Sequence, residues 1–349
     1  MATIYDVANA AKVSPKTVSR VLNRDAPVGW ETRQKVEAAM ALLGYVPSSA
    51  ARMMRSNRSG LIGLITGAIS QDLGETRGLP GIVIAQGIQE ALSETGLTLM
   101  IADTNGQAER VPDLVRTFLQ HRVEGLLYVA EYHKRVAALS VPPECPLVLV
   151  NCFDDAGTPS VLPDDRACQR ALVEAMIKKG HRRIGFLTLT AGRIAAELRL
   201  AGYRDALAAA GIADDPDLVL PGYLPGTDPD SAHLVESVDH LLRMPNPPTA
   251  ICCGKDSMAM AVYGVLRTRG FRIPEDMSLA GFDDYRIISE TLFPPLTTVE
   301  LPYRSMGRRA VECLTAAIRG EATGEASPIL VAGPVAWRSS VAGITSHTN

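Results

Sequence analysis

The sequence predicts an α/β protein in which a small all-α head precedes a larger body of parallel sheets in two lobes. Three observations indicate this fold. Residues 3–23 contain two short helical patterns joined by a tight turn. From Leu61 onward, short apolar runs alternate with helical patterns, which is typical of βαβ units with right-handed crossovers. The segment Asn151–Pro163 is rich in Asp, Gly and Pro, and it divides the strands into two groups.

The first helix of the head is predicted to begin after Thr3, because Thr is a favoured N-cap residue. Asp6 lies in the first turn, where the helix dipole favours a negative charge. The apolar residues of this helix recur at helical spacing and form one stripe: Ile4, Val7, Ala8 and Ala11. A third amphipathic helix is predicted over Thr32–Leu43, ending at Gly44.

The second helix is predicted to be capped by Ser14, and Pro15 fits its first position because no N–H donor is needed there. Val18, Val21 and Leu22 face inward. The opposite face carries two cations and two hydroxyls: Lys16, Thr17, Ser19 and Arg20. A short helix with such donors on its free face suits the major groove of DNA. The head is therefore predicted to bind DNA.

Charge is distributed unevenly along the chain. Residues 1–58 contain nine Lys and Arg against four Asp and Glu, a net charge of +5, which leaves −8 on the remainder of a chain whose total is −3. A basic head on an acidic body fits a DNA-binding module joined to a domain with another role. The six cysteines show no metal-ligand spacing, so neither a metal nor a cofactor is expected. No signal peptide and no apolar run of ~20 residues is visible, so a cytoplasmic, reduced protein outside the membrane is expected.

The head resembles the helix-turn-helix of the LacI/GalR (lac repressor/galactose repressor) family of bacterial regulators. The matching residues are Ile4-Tyr5-Asp6-Val7-Ala8, Val13-Ser14 and Thr17-Val18-Ser19-Arg20-Val21-Leu22-Asn23. Lys12 stands where the family usually has Gly in the turn. The resemblance continues through the body in the motifs Lys179-Gly180-His181-Arg182-Arg183-Ile184-Gly185, Arg199-Leu200-Ala201-Gly202-Tyr203, Ser278-Leu279-Ala280-Gly281-Phe282-Asp283-Asp284 and Pro295-Leu296-Thr297-Thr298-Val299.

The resemblance implies a helix-turn-helix head and a two-lobed, periplasmic-binding-protein-like body. The expected boundaries are a DNA-binding domain over 1–58 with a hinge helix over 48–55, an effector-binding and dimerisation domain over 59–349, lobe 1 over about 61–160 and 293–320, and lobe 2 over about 161–292 and 321–341. The helix Tyr303–Arg319 is expected to cross back to the first lobe. The last strands, around Ile329–Val331 and Val335–Trp337, are expected to finish the second.

The other elements of the body follow from the apolar pattern. The predicted strands are Leu61–Ile65, Leu97–Ala102, Gly125–Val129, Leu147–Val150, Ile184–Leu189, Leu218–Leu220, Ala250–Cys253 and Ser278–Phe282. The predicted helices between them are Ile82–Glu94, Val111–Gln120, Cys168–Lys179, Ala196–Ala210, Ala232–Arg243 and Ser257–Thr268.

In the family, the hinge helix folds only on operator DNA and inserts a Leu into the minor groove. Met54 occupies that position here, and Met is an acceptable wedge for a kinked base step. The predicted DNA-binding residues are Tyr5, Ser14, Lys16, Thr17, Ser19, Arg20, Asn23 and Met54. The family binds a near-palindromic, double-stranded operator as a homodimer, so a second copy of the chain is an expected partner.

A ligand is expected at the carboxyl ends of the strands, where open α/β sheets bind ligands. The polar residues at or just after strand ends are Ser70, Gln71, Asp103, Glu131, Asn151, Asp164, Arg193, Asp256 and Asp284. The resemblance implies that Arg199, Asp256 and Tyr223 hold the effector. The full set of predicted effector-binding residues is Arg199, Asp256, Tyr223, Arg193, Ser70 and Asp284. Alternatives remain at this point, since Asp256 would also serve as an N-cap, Arg199 as a surface residue and Tyr223 as a packing residue.

The sequence favours a regulator over an enzyme. It contains no nucleophile elbow, Walker loop, paired metal-binding His or dinucleotide fingerprint, and a glycoside-processing cleft would leave the head unexplained. A sugar or sugar phosphate is the favoured effector. The alternative is a nucleobase, since Arg193 falls near the position that purine-binding relatives use, but Ala195 stands where those relatives carry a hydroxyl. Either an inducer or a corepressor is consistent with the sequence.

Overall fold

The computed structural model describes residues 2–23, 27–46, 58–67, 80–223, 231–321 and 328–344. The predicted hinge helix with Met54, and the strand-end residue Ser70, lie outside the described residues. The chain forms two compact units, Met1–Gly60 with Gln120–Glu124 and the remainder. In the described ranges, no helix is long and apolar enough to cross a membrane.

The elements are as follows. The helices are α1 (Ile4–Ala11), α2 (Pro15–Asn23), α3 (Trp30–Leu43), α4 (Pro80–Ser93), α5 (Val111–Gln120), α6 (Asp165–Lys178), α7 (Ile194–Ala209), α8 (Ser231–Arg243), α9 (Asp256–Thr268), α10 (Arg286–Ser289) and α11 (Tyr303–Ile318). The strands are β1 (Leu61–Thr66), β2 (Thr98–Asp103), β3 (Gly125–Arg135), β4 (Leu147–Phe153), β5 (Ser160–Pro163), β6 (Ile184–Thr188), β7 (Val219–Pro221), β8 (Ala250–Cys253), β9 (Ser278–Ala280), β10 (Thr298–Val299), β11 (Ile329–Val331) and β12 (Val335–Ala336).

The head packs α1, α2 and α3 around a small aliphatic core. Thr3 and Asp6 form a reciprocal cap on α1, because the Asp6 N–H donates to Thr3 Oγ1 at 3.3 Å and the Thr3 N–H donates to Asp6 Oδ2 at 2.7 Å. Lys12 ends α1 with a φ of 54°, the left-handed conformation that explains why Gly suits this turn. The buried core consists of Val7, Ala8, Ala11, Val18, Val21, Val36 and Ala39. The predicted apolar stripes are confirmed, with Ile4 and Leu22 packed at their margin.

The first sheet of the body has six parallel strands in the order β11-β5-β4-β3-β1-β2. Alternate residues of β1 face opposite sides. Ile62 and Leu64 are buried in a core shared with α4 and α11, whereas a Cβ at Gly63 would contact Phe118 of α5. The sheet is therefore covered on both faces, as parallel sheets require. The prediction that the helix after Tyr303 crosses back to the first lobe is confirmed.

The second sheet has four parallel strands in the order β7-β6-β8-β9. Helices α6 and α7 pack on one face through residues such as Leu172 and Tyr203. Helices α8 and α9 pack on the other face through residues such as Leu241 and Val262. The antiparallel pair β10–β12 adjoins this sheet through a bridge between Thr297 and Ala280.

The sheet membership of three short strands differs from the prediction. Thr298–Val299, expected in the first lobe with residues 293–320, pairs with Val335–Ala336 and adjoins the second sheet. Ile329–Val331, expected in the second lobe, pairs in parallel with Ser160–Pro163 at the edge of the first sheet. Most of Ser160–Pro163 was assigned to the second lobe, yet β5 pairs with β4 and belongs to the first sheet. A three- or four-residue apolar strand fits the edge of either sheet, so its pattern does not specify its partner. The chain thus leaves the first sheet after Pro163 and enters it again at Ile329.

Helices α4 and α11 approach each other closely because each has a glycine at the crossing. A Cβ at Gly87 would lie 2.1 Å from the carbonyl oxygen of Arg304, and one at Gly307 would lie 2.2 Å from the carbonyl oxygen of Ile84. Backbone atoms in helices cannot move aside as a flexible side chain can. Only glycine at both positions permits this contact between the two helices on this face of the first sheet.

Gly87→Ala is expected to destabilise the body by about 1–3 kcal/mol, because the two helices must separate to admit the methyl group. Gly264→Ala is the matched control, since a Cβ at this position of α9 meets nothing within 4 Å. That change is expected to stabilise by about 0.5–1 kcal/mol, because Ala has the better helix propensity. Urea unfolding of the variants should show shifts of opposite sign, and an unshifted Gly87→Ala transition would contradict the packing argument.

Candidate functional site

The free face of α2 presents the predicted cations to solvent. Lys16 and Arg20 are exposed, whereas Val18 on the opposite face is buried. The Thr17 N–H donates to Ser14 Oγ at 3.2 Å, and the two hydroxyl oxygens lie 3.0 Å apart. Ser14 therefore caps α2 as predicted. Lys16 and Arg20 are therefore the side chains that extend furthest into solvent from this face.

The remaining residues predicted to bind DNA differ in their exposure and in their position on the head. Tyr5 is 66% exposed on α1, so its ring is accessible on the surface of the head. Ser19 is half-buried on α2, and Asn23 is the last residue of that helix. Met54 lies outside the described residues. The described part of the predicted interface thus consists of α2 and the exposed ring of α1.

A cavity of about 200 Å³ lies at the carboxyl ends of strands from both sheets of the body. The first sheet contributes residues of β3 and β4, and the second lobe contributes α7 and the loops after β8 and β9. The ionisable groups on its wall are His133, Asp165, Arg193, Arg199, Lys255 and Asp283, and the aromatic rings are Tyr132, Tyr223 and Tyr303. The strand-end rule therefore predicts the location of the cavity correctly.

Arg199 is the central charge of this wall. It is buried in the middle of α7, and its Nε–H donates to Asp165 Oδ1 at 2.8 Å. One terminal N–H donates to the carbonyl oxygen of Gly254 at 2.5 Å, and the same nitrogen lies 3.6 Å from Asp283. The guanidinium also lies 3.7 Å from the ring centroid of Phe282. Burial alone would lower the pKa of Arg199, but the two carboxylates raise it above its ordinary value, so the cation is permanent.

Asp165 links the two lobes at the floor of the cavity. Its second oxygen accepts a hydrogen bond from Nδ1 of His133, on β3, at 3.1 Å. Burial raises the pKa of this carboxyl, yet the charge of Arg199 and the hydrogen bonds outweigh burial and leave the pKa below its ordinary value. Asp165 is therefore a carboxylate whose charge is already neutralised by Arg199.

Asp283 is the second carboxyl group of the cavity. Its negative charge is less completely neutralised by Arg199 than that of Asp165. Its side chain is 26% exposed, and burial raises its pKa from 3.8 to about 7 despite the attraction of Arg199. The nearby charge of Asp256 acts in the same direction. Asp283 is therefore more readily protonated than an ordinary carboxyl group, and its oxygens are placed to accept a hydrogen bond from a ligand.

Two cations at the cavity wall lie over tyrosine rings. The Arg193 guanidinium is 4.1 Å from the ring centroid of Tyr132, and the Lys255 ammonium is 4.4 Å from that of Tyr223. Tyr132 belongs to the first lobe and Arg193 to the second. A cation over an aromatic face at such a distance is attracted to the ring, so these contacts position the cations at the wall.

The structure brings three of the predicted effector-binding residues to the cavity: Arg193, Arg199 and Tyr223. Asp256 is the first residue of α9 and is fully buried behind the wall, where it accepts hydrogen bonds from Tyr285 N–H at 2.7 Å and Thr298 Oγ1 at 2.6 Å. Asp284 also lies behind the wall, paired with Arg338 at 2.8 Å. Ser70 lies outside the described residues.

The two carboxyl groups of the cavity, Asp165 and Asp283, were not predicted from the sequence, but each is adjacent to an Asp that was. Asp165 follows Asp164, and Asp283 precedes Asp284. In the first pair, Asp164 caps α6 by accepting the Ala167 N–H at 2.9 Å, which leaves Asp165 to face the cavity. Adjacent acids after a strand are the signal that could have identified both, but the backbone determines which member of each pair faces the cavity. Lys255 and His133 do not belong to such a pair of acids, so this pattern does not predict their place at the cavity.

Comparison with known proteins identifies the family of this chain. Residues 3–48 match the family described as bacterial regulatory proteins, lacI family, and residues 173–341 match a periplasmic binding protein-like domain. The ribose operon repressor of Haemophilus influenzae is 31% identical over 320 residues, which cover 91% of this chain and 92% of the repressor. The HTH-type transcriptional repressor PurR of Aliivibrio salmonicida is 31% identical over 323 residues, covering 91% and 93%. This chain belongs to the lacI family of bacterial regulatory proteins.

A solved structure of this family also resembles the chain. The crystal structure of the lac repressor dimer bound to operator and the anti-inducer ONPF superposes with a TM-score of 0.74 at 25% identity, covering 98% of this chain and 99% of that one. As a member of the lacI family, the protein is a DNA-binding transcriptional regulator and not an enzyme.

Asp256→Asn is expected to change how stability depends on pH. Burial raises the pKa of Asp256 from 3.8 to about 6, so the folded protein retains this proton to higher pH than the unfolded chain does. Ionisation of Asp256 therefore lowers the stability as the pH rises from about 4 to about 6. Asn keeps an oxygen acceptor for the Tyr285 N–H, its amide N–H can donate to the Thr298 hydroxyl oxygen in place of the bond that Thr298 donates to Asp256, and it does not titrate. The melting temperature of the variant relative to the wild type should rise across this window, and a constant difference would contradict the assignment.

Proposed function

We propose that the protein represses transcription as a homodimer on a near-palindromic operator, and that a sugar or sugar phosphate in the cavity controls its operator affinity. The observation that carries this proposal is the cavity itself, in which Arg199 lies against Asp165 and Asp283 at the junction of the two lobes. In this proposal residues 59–349 form the effector-binding and dimerisation domain, and residues 1–58 read the DNA.

On the DNA side, the proposal assigns base contacts to the exposed side chains of α2. Arg20 and Lys16 are exposed on a helix whose other face is packed against the head's core. An Arg in the major groove donates two hydrogen bonds to guanine, which discriminates against other bases by about 1–3 kcal/mol. Two such helices related by a dimer axis would read half-sites about one helical turn apart.

On the effector side, the wall offers charged donors and acceptors at short range. Sugar hydroxyls both donate and accept, and bonds to Arg199 and Asp283 would be charge-assisted and therefore strong. The rings of Tyr132, Tyr223 and Tyr303 offer apolar surface to the faces of a sugar ring. The volume of about 200 Å³ is below the roughly 300–1,000 Å³ of sites for drug-sized ligands, so it favours a small effector. A relative's name, ribose operon repressor, points the same way.

Control of operator binding follows from the position of the cavity between the lobes. His133 contacts Asp165, and Tyr132 contacts Arg193, in each case across the two lobes. A ligand in the cavity makes contacts with both lobes, so it binds one arrangement of the lobes more tightly than another. When operator binding also favours one of these arrangements, effector and operator change each other's affinity by the same factor.

Arg20→Ala is expected to lower operator affinity by about 1–3 kcal/mol and to relax base preference, because a bidentate base contact is lost. The operator would first be selected from random duplexes with the wild-type protein. Lys35→Ala is the matched control, since it removes one exposed cation from α3 of the same head. The ratio of operator to scrambled-duplex affinity should fall for the first variant only. An unchanged ratio for Arg20→Ala would contradict the assignment of base contacts to α2.

Asp283→Asn is expected to weaken the effector response while leaving operator binding intact. Losing a charged partner for a ligand hydroxyl typically costs about 1.5–3 kcal/mol, so half-maximal response should need roughly 10- to 100-fold more effector. The control is Asp276→Asn, an exposed acid paired with Arg272 away from the cavity. Operator binding titrated against effector distinguishes the two. A wild-type response from Asp283→Asn would place the effector elsewhere.

A further inference from the structure

We propose that Glu124 fixes the end of the chain that leads from the head into the body, and that this contact sets the half-site spacing that the dimer recognises. The segment concerned is the linker end, residues 58–60, which directly precedes β1. The inference rests on the proposed function, because it requires a homodimer that reads two half-sites. It is carried by three hydrogen bonds, by the low exposure of Glu124 and by its attachment to β3.

Glu124 accepts hydrogen bonds from the linker end with both of its carboxylate oxygens. Its Oε2 accepts from Nε and Nη2 of Arg58, at 2.8 and 2.6 Å, and its Oε1 accepts from the Gly60 N–H at 2.7 Å. Hydrogen bonds between charged groups are shorter and stronger than those between neutral ones. The segment Gln120–Glu124 also forms one compact unit with Met1–Gly60. One carboxylate thus holds the linker end both by a side chain and by the backbone.

The low exposure of Glu124 determines how much this contact contributes. The Arg58 side chain is 61% exposed, and an ion pair between two exposed side chains contributes little, because water and salt compete for both charges. The Glu124 side chain is only 9% exposed, so water reaches its carboxylate poorly. Loss of the donors of the linker end would leave a mostly buried carboxylate with fewer hydrogen bonds, which is unfavourable. The contact therefore stabilises the linker end more than an exposed ion pair would.

Glu124 is itself held in place by the first sheet. Its chain neighbour Gly125 is the first residue of β3, which lies between β4 and β1. Gly125 pairs with Ile62 of β1, and a Cβ at Gly125 would lie 2.8 Å from the Leu314 side chain of α11. The backbone next to Glu124 is thus fixed by strand pairing and by close packing. A carboxylate on such a backbone is a rigid anchor for the linker end.

The linker end depends on this anchor because packing restricts it little at Gly60. This residue has a φ of 71°, and a Cβ there would meet no described atom within 4 Å. Glycine also has more backbone freedom than any other residue. The hydrogen bond from the Gly60 N–H to Glu124 therefore restricts the direction in which the chain leaves β1 toward the head.

The length of the linker end exceeds the change in spacing that it has to resist. One base pair advances the DNA helix by about 3.4 Å and turns it by about 35°. Three extended residues span up to about 10 Å. If residues 58–60 were released in both subunits, they could therefore follow the shift of a half-site that one additional base pair causes. With the linker end bound to Glu124 the chain cannot extend in this way, so the dimer should discriminate between spacings.

The test measures the affinity of the full-length protein for duplexes that differ in half-site spacing. An operator is selected from random duplexes with the wild type, and one base pair is then removed from its centre or added there. The wild type should bind both altered duplexes at least tenfold more weakly than the selected operator. In Glu124→Gln, which keeps the size of the side chain but not its charge, this discrimination should fall at least threefold. Glu174→Gln is the matched control, because it removes the carboxylate of another ion pair, with Arg170 on α6, and should discriminate as the wild type does.

A second variant shows whether Glu124 acts through the linker end. Arg58→Gln changes an exposed side chain, so the fold should tolerate it. This variant should also lower the discrimination between spacings. The double variant Arg58→Gln/Glu124→Gln should lower it no further than the stronger single variant does, because the two changes break the same contact. Independent effects, in which the two fold-changes multiply, would overturn the inference.

The remaining outcomes also decide the matter. Wild-type discrimination in both Glu124→Gln and Arg58→Gln, or a wild type that binds all three duplexes equally, would overturn the inference and leave the proposed function standing. Weaker binding of both variants to all three duplexes by one common factor would do the same, since the contact would then stabilise the complex without setting the spacing. A wild type that binds a single half-site as a monomer, as measured by sedimentation of the complex, would overturn the proposed function and the inference together.

Discussion

The body depends on one buried guanidinium. Arg199, in the middle of α7, is bound to Asp165 at the start of α6 and to the carbonyl oxygen after β8, and it packs against Phe282 after β9. Removing a charge from water is costly, and a buried pair stripped of one partner typically loses about 3–5 kcal/mol. Each of these elements must therefore hold its place for Arg199 to remain compensated. The arrangement fixes the ends of the helices and strands that form the second lobe's side of the cavity.

The second constraint is a strained backbone at the rim of the cavity. Asn151, Asp283 and Asp284 have φ values of 59°, 127° and 49°, which are unfavourable for residues other than glycine. Asn and Asp tolerate such angles better than other side chains, but the conformation still has to be held by its neighbours. Asp256 does so for the loop after β9, since its carboxylate accepts the Tyr285 N–H and its own N–H donates to Phe282 at 2.8 Å. Asp256 thus positions Asp283 and does not line the cavity.

The sequence could predict the features that depend on nearby residues, but not those that depend on distant ones. Local signals, such as the Thr3–Asp6 cap, the Ser14 cap and the apolar stripes, depend on neighbours within one helical turn, and the structure confirms them. The alternation of strands and helices likewise predicted two parallel sheets. The partner of Ile329–Val331 could not be predicted, because three apolar residues satisfy the edge of either sheet. The choice between Asp283 and Asp284 depends on a left-handed backbone held by distant residues, which no local pattern encodes.

In the proposed regulation, the contacts that cross the cavity determine the energy available. One is the hydrogen bond from His133 to Asp165 at 3.1 Å, and the other is the stacking of Arg193 on Tyr132 at 4.1 Å. A hydrogen bond to a charged group contributes about 1.5–3 kcal/mol, and a cation–π contact about 0.5–2 kcal/mol. Coupling between two binding sites typically amounts to about 1–3 kcal/mol. In the proposed regulation, the free energy available is the difference between the ligand's own contacts and the two that it replaces, and contacts of this size are sufficient for such a coupling without unfolding or rebuilding either lobe.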